Sequence, residues 1–258
     1  MKKFITLILT LMLVLTACLG LTACGKEETS GITDGKLTVG YTLYPPMNYV
    51  DDAGDFVGFD TELAEKFCEA IGVEVEFVEI NWDNKLIDLD SKAIDCIWNG
   101  MTITDAIKEA TAVSDAYLEN KQVIVCKAAD ASKFTTKDSI KTASKVAFEK
   151  GSAGDLVVTA LEITDDAKRT EAPAQRDALL EVFTGASEIA VVDITLAKVM
   201  TGTGTYESLT YVDVGFEVEQ FGVAFRKSDA GLAKAFDLFV KMCKADGTYD
   251  ALMAKYFA

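Results

Sequence analysis

The sequence predicts an α/β protein, and three observations point there. Strand-like and helix-like stretches alternate from Lys36 to the C-terminus. Two βα units share one plan of strand, glycine-containing turn and helix, near Asn99–Asp105 and near Glu149–Asp155. With 258 residues, half of them apolar, the chain can bury the core of one large domain or of two lobes.

The elements follow in order. "KLTVGY" is a short strand, and "YPPMNYVDDAGDFVGF" is a turn and hairpin with Gly54 near its tip. A helix opens at Thr61 with Asp60 as its cap, sets Leu63, Phe67 and Ile71 on one face, and stops at Gly72. "VEVEFVEI" alternates as a strand does, and a helix through Leu86 and Leu89 leads into the buried strand "AIDCIW". "NGMTITDAIKEA" then turns from strand to helix, and the first amides of such a helix are unpaired and attract anions. "KQVIVCKA" is another buried strand, and "KVAFEKGSAGDLVVTAL" is strand, tight turn and helix. A helix over Arg176–Phe183, the strand "SEIAVVDI" and a helix from Thr195 come next. After "YVDVGFEVEQFGVAF" a long amphipathic helix sets Leu232, Ala235, Phe236 and Phe239 on one side. "KADGTYDALMAKYF" adds a glycine stop and a last helix.

The start of the chain reads as targeting rather than structure. Lys2 and Lys3 precede an apolar run from Phe4, and Leu-Thr-Ala-Cys occurs twice, ending at Cys18 and at Cys24. A membrane-spanning anchor is the alternative, since Phe4–Ala23 is long enough to cross. A cysteine ending Leu-Thr-Ala resembles the bacterial lipobox, in which the thiol is acylated and becomes the new N-terminus. Cys24 is favoured, because the polar "GKEETSG" behind it makes a flexible tether, whereas cutting at Cys18 leaves "LGL" exposed. The expected division is a lipoprotein signal peptide over 1–23, then a lipidated cysteine and tether over 24–35.

Composition excludes several function classes. The chain carries 25 Lys+Arg against 41 Asp+Glu, a net charge of −16, so nucleic acid and anionic lipid headgroups are not expected partners. It contains no histidine, which excludes Ser-His-Asp and Cys-His nucleophiles and imidazole zinc sites. Cys68, Cys96, Cys126 and Cys243 show no CxxC spacing and sit in apolar patterns, so they read as buried thiols. No metal site and no cofactor are implied.

The order and wording of the segments "YPPMNYV", "GFDTELAEKFCEAIG", "INWDNKLIDLDSKAIDCIWNGMTIT", "VAFEKGSAG", "EIAVVD" and "ADGTYDALMAKYF" resemble the family 3 solute-binding proteins of bacterial amino-acid ABC transporters. The resemblance runs from about Lys36 to the C-terminus. It implies a two-lobed periplasmic-binding-protein-like fold, two α/β domains joined by two hinge strands near Lys121–Ile124 and Glu219–Gly222. Lobe 1 would take residues 36–121 plus 222–258, and lobe 2 residues 122–221. It further implies a lipid-anchored monomer on the extracytoplasmic side that captures a small polar solute by hinge closure and delivers it to a permease.

The resemblance also implies site residues. Tyr44 and Trp82 match aromatic walls that pack on the ligand, a role suited to an ammonium over a ring face. Asn99, Gly100 and Thr102 match positions that offer backbone and hydroxyl groups to the ligand's α-groups, although Thr102 and Thr104 would equally serve as helix caps. Asp193 matches the acid that grips the α-ammonium, with a helix cap as the plainer reading. Ser152 and the amides after it would complete a carboxylate cradle. Glu149 falls where the ligand side chain is often touched, or it is a solvated surface acid. Asp60 is explained as a cap and stays outside the site.

One departure stands out. Three residues after Thr104 such proteins usually place an arginine that pairs with the α-carboxylate, and here that residue is Ile107. Lys108 is an imperfect substitute, being a point charge one residue out of register. The ligand is therefore an amino acid held without that fork, or a related amine-bearing solute lacking a free α-carboxylate. Two other functions fit the same fold: a cyclohexadienyl-dehydratase-like enzyme, and a ligand sensor for a membrane receptor.

Overall fold

The computed structural model describes Ile32 and residues 35–257. The leader, both Leu-Thr-Ala-Cys sites, the acylation expected at Cys24 and nearly all of the tether lie outside the described residues.

The strands are β1 (Lys36–Tyr41), β2 (Tyr49–Val50), β3 (Phe56–Val57), β4 (Glu74–Glu79), β5 (Cys96–Thr102), β6 (Ala112–Val113), β7 (Leu118–Lys127), β8 (Val146–Glu149), β9 (Arg169–Ala172), β10 (Ile189–Asp193), β11 (Leu209–Val212) and β12 (Val218–Phe225). The helices are α1 (Phe59–Ile71), α2 (Lys85–Asp90), α3 (Asp105–Ala110), α4 (Ala153–Ala160), α5 (Gln175–Thr184), α6 (Ile194–Met200), α7 (Ala230–Asp246) and α8 (Thr248–Phe257).

The main sheet runs β4-β1-β5-β12-β7-β10-β8-β9, with β6 beside β12 and β11 beside β7. Its halves are each built around parallel strands: β1 with β4 and β5 in one, β8 with β9 and β10 in the other. Among the described residues, the two halves of the sheet are joined by the pairing of β7 with β12. These two strands lie antiparallel, with Lys121 opposite Val218 and Leu118 opposite Phe221. Two α/β lobes on one continuous sheet is thus the fold of the chain, with helices on its faces.

Packing follows the apolar patterns. Phe67 of α1, Trp98 of β5 and Phe236 of α7 meet edge to face, and all three are fully buried. Phe134, Ile140, Phe148 and Val158 fill a second core around β8 and α4. A third cluster of Trp82, Leu89, Ile94, Ile97, Met101, Ile107 and Ala224 lies under the cleft between the halves. Cys68, Cys96, Cys126 and Cys243 are all buried as free thiols, acting as small hydrophobes.

The start of α1 differs from expectation. It opens at Phe59, with Gly58 as N-cap at φ +145°, where a Cβ would stand 2.0 Å from the Met47 carbonyl oxygen. Asp60 is therefore inside the helix and makes no cap. Its fully buried carboxylate accepts instead from the Gly100 amide at 2.7 Å and the Tyr117 hydroxyl at 2.9 Å. Burial pushes this carboxyl up to about 7, against the pull of those two donors.

Candidate ligand cleft

Strand β5 carries the first wall. Gly100 sits at φ +55°, and a Cβ on it would come 2.7 Å from the Tyr44 ring and 3.0 Å from that of Phe221. Only glycine lets the backbone pass there with its surface toward the cleft. Thr104 ends the turn and caps α3, its Oγ1 accepting from the Ile107 amide at 3.2 Å. Across the cleft, Ser152 caps α4 in the same way, accepting from the Asp155 amide at 3.3 Å. Between these turns lies a cavity of about 170 Å³, room for roughly a dozen waters. This suits a solute of amino-acid size.

Trp82, Asn99, Gly100, Thr102, Glu149, Ser152 and Asp193 all line the cavity. Tyr44 does not. It is 2 % exposed, its ring lies behind Gly100 and its hydroxyl bonds Thr195, so it supports the wall from one layer back. Lys108 is also outside, its side chain exposed and paired with Asp105 at 3.6 Å. It lies one residue further along the short α3 than the buried, lining Ile107, so its stem turns to solvent.

Several lining groups are already engaged. The Asn99 amide accepts from the Thr42 amide and hydroxyl and donates to the Thr42 carbonyl and to Asn48, so its side chain clamps a loop and only its backbone faces the cleft. Thr102 donates to Glu219 at 3.1 Å.

Asp193 is the centre of the second wall. It precedes α6 but makes no side-chain cap bond. Its carboxylate accepts from the side-chain amides of Gln122 (2.6 Å), Asn120 and Gln175, while Gln175 Oε1 accepts from the Asp193 amide at 2.9 Å. Asn120 and Gln122 also donate to Glu219, at 3.2 and 3.0 Å. The joining strands β7 and β12 thus hold two acids with one set of amides.

Burial dominates the electrostatics. Glu149 is 3 % exposed, and burial together with Asp193 pushes its carboxyl up to about 8, opposed by the Thr42 hydroxyl and Lys85. Burial raises Asp193 against four side-chain donors, and raises Glu219 with help from Asp193. Burial lowers Lys85, which Glu149 partly offsets. The arrangement holds more acid than base in a low-dielectric space, so it complements a positively charged group.

Among the polar residues of this site, Lys85 and Gln175 were not expected from sequence. Lys85 lines the cavity, donates to the carbonyls of Trp82 (3.1 Å) and Gly151 (2.8 Å), and lies 5.0 Å from the Trp82 ring centre. Its signal was the spacing of three from Trp82, which places both on one side of a helical turn. Gln175 opens α5, and no local pattern marks it as a partner of a residue 18 positions on.

Several contacts cross the cleft: Tyr44 to Thr195, Thr42 to Glu149 at 3.3 Å, Lys85 to Gly151, and Lys150 to Asp83 at 3.6 Å.

Comparison with known proteins agrees with this architecture. The model of the bacterial extracellular solute-binding proteins, family 3, matches residues 37–258. A probable histidine-binding protein of Neisseria gonorrhoeae is 28 % identical over 216 residues, 83 % of this chain and 80 % of that one. An arginine-binding protein mutant from T. maritima has a crystal structure with TM-score 0.79 and 32 % identity, covering 86 % of this chain and 95 % of that one. An ABC uptake transporter substrate-binding protein from Streptococcus pneumoniae, solved with bound histidine, gives TM-score 0.79 at 28 % identity, covering 87 % and 93 %.

Proposed function

Since the chain belongs to the bacterial extracellular solute-binding proteins of family 3, we propose that it captures an amino acid or a related amine-bearing solute in this cleft for an ABC importer. The observation that carries the reading is the pair of buried acids, Asp193 and Glu149, in a cavity that a single cation lines among the described residues. The ammonium of the solute docks against Asp193, whose amide partners fix the carboxylate in place, and Glu149 stands beside it as a further buried oxygen acceptor. Trp82, Met101 and Ile107 cover its apolar part.

Residues 36–121 plus 222–258 form one lobe and 122–221 the other, turning about β7 and β12. Closing brings the contacts across the cleft together and shields the solute from water. Cys24 carries the lipid anchor that holds the protein outside the membrane, beside the permease. The relatives are named as binding proteins, which fits a role without catalysis. A dehydratase acting on a dicarboxylate would need more positive charge than one lysine supplies. Turnover of prephenate or arogenate by the purified protein would overturn this choice.

The test is a thermal-shift screen of the purified chain against amino acids, amines and dicarboxylates. A solute at about one hundred times its Kd adds roughly 2.7 kcal/mol, a rise of about 5–10 °C for a chain of this size. The reading expects such shifts from solutes carrying an ammonium. Shifts from dicarboxylates alone would refute it.

A further inference from the structure

The apolar wall of the cleft has Ile107 where the resemblance places a carboxylate-binding arginine, and Ile107 is 4 % exposed within its cluster. Among the described residues, the one cation lining the cavity stands elsewhere. Lys85 begins α2, half-buried, directly after the turn that carries Trp82. An ammonium has three N–H donors, and Lys85 gives two of them to the carbonyls of Trp82 and Gly151. Both acceptors are neutral. Glu149, Asp83 and Asp155 act on Lys85 through space, yet among the described residues none of them forms an ion pair with it, so a bound anion can still make the direct contact. Its bond to Gly151 also sets it beside the start of α4, where the amides of Ala153 and Gly154 have no intrahelical acceptor.

We propose that Lys85 is the counter-charge for a carboxylate on the bound solute, taking the place of the arginine absent at Ile107. The cleft then selects amine-bearing solutes that also carry a carboxylate over amines that lack one. This rests on the function proposed above and narrows its ligand class. The solute's ammonium lies against Asp193 and Glu149, and its carboxylate lies at the corner formed by Lys85 and the first turn of α4. The solute's ammonium thus meets Asp193 and its carboxylate meets Lys85 within one cavity. A lysine is a point charge rather than a fork, so selection is weaker than an arginine would give.

A plainer role for Lys85 is a latch, since its bond to Gly151 joins the two halves of the molecule. The two roles differ in what they discriminate. A latch supports every ligand equally, whereas a counter-charge supports only those with a carboxylate.

Calorimetry on the full chain with matched pairs separates them: arginine and agmatine, lysine and cadaverine, histidine and histamine. Wild type is expected to bind at least one amino acid about ten- to a hundredfold tighter than its decarboxylated partner. Lys85→Met should remove that preference by weakening the amino acid while leaving the amine unchanged, and Lys85→Arg should restore it. A thermal melt without ligand checks that each variant folds. Equal weakening of both members of a pair by Lys85→Met overturns the proposal in favour of a latch. Wild type binding agmatine, cadaverine or histamine as tightly as its amino acid overturns it as well, with the function left standing. Binding of neither member of any pair, together with no thermal shift from any other amine-bearing solute, defeats the parent function and this inference together.

Discussion

Replacing Glu149 with Gln tests the electrostatics of the cleft through pH. The carboxyl is buried, faces Asp193, feels Asp177 and Lys85, and accepts from Thr42. In the folded chain it titrates at about 8, against an ordinary 4.5 when unfolded. Between these values the folded state holds the extra proton, so stability must fall as pH rises. There is no electrostatic cost below pH 4.5, and the full cost, of order 5 kcal/mol, is reached above pH 8. The slope between is about 1.4 kcal/mol per pH unit, or roughly 3–5 °C in melting temperature for a chain of this size. Gln keeps an oxygen for Thr42 and does not titrate. Asp60, Asp193 and Glu219 also shift upward but are common to both proteins, so the difference between the two curves belongs to Glu149. Melting temperatures without ligand should fall more steeply from pH 5 to 8.5 for the wild type than for the variant, which stays higher at the alkaline end. Parallel curves for the two proteins would refute the reasoning.

Two further substitutions probe the wall behind the cleft. Asp60→Ala leaves the Gly100 amide and the Tyr117 hydroxyl without their acceptor, and should cost about 2–4 kcal/mol in a urea titration near neutral pH. A loss below 1 kcal/mol would mean the bonds are not maintained. Gly100→Ala forces a side chain into φ +55° and against the Tyr44 ring, so about 2 kcal/mol of stability and most ligand affinity should go. An alanine variant that binds normally would show that the backbone does not need to pass so closely.

The fold was legible wherever one short stretch decides an element. Gly72 and Gly247 stop α1 and α7 in the left-handed conformation that glycine supplies at least cost. Gly54 lies in the turn of the β2–β3 hairpin, and Thr104 caps α3. The site was legible where it follows from a strand's end, as with Asp193 at the end of β10 and Glu149 at the end of β8. What sequence left hidden was partnership at long range. Asp60 has the local look of a cap, yet its carboxylate serves an amide 40 residues away. Tyr44 reads as a ligand wall beside two prolines, but Gly100 brings β5 between it and the cleft. Glu149 looks like a surface acid until it meets Thr42, 107 residues earlier. Lys85 enters the cleft from the helix after Trp82, whereas Lys108, beside Ile107, turns to solvent, so the cation stands on a different element from the one that local sequence marks.

The central claim is that a buried carboxylate at position 193 receives the solute's ammonium. Titration calorimetry of the solute that gives the largest thermal shift, on wild type and on Asp193→Asn, tests it most directly. Asn keeps the size of the side chain and loses the charge, so affinity should fall by about ten- to a hundredfold while the unliganded protein stays folded. Affinity unchanged within twofold in a folded variant would contradict the account.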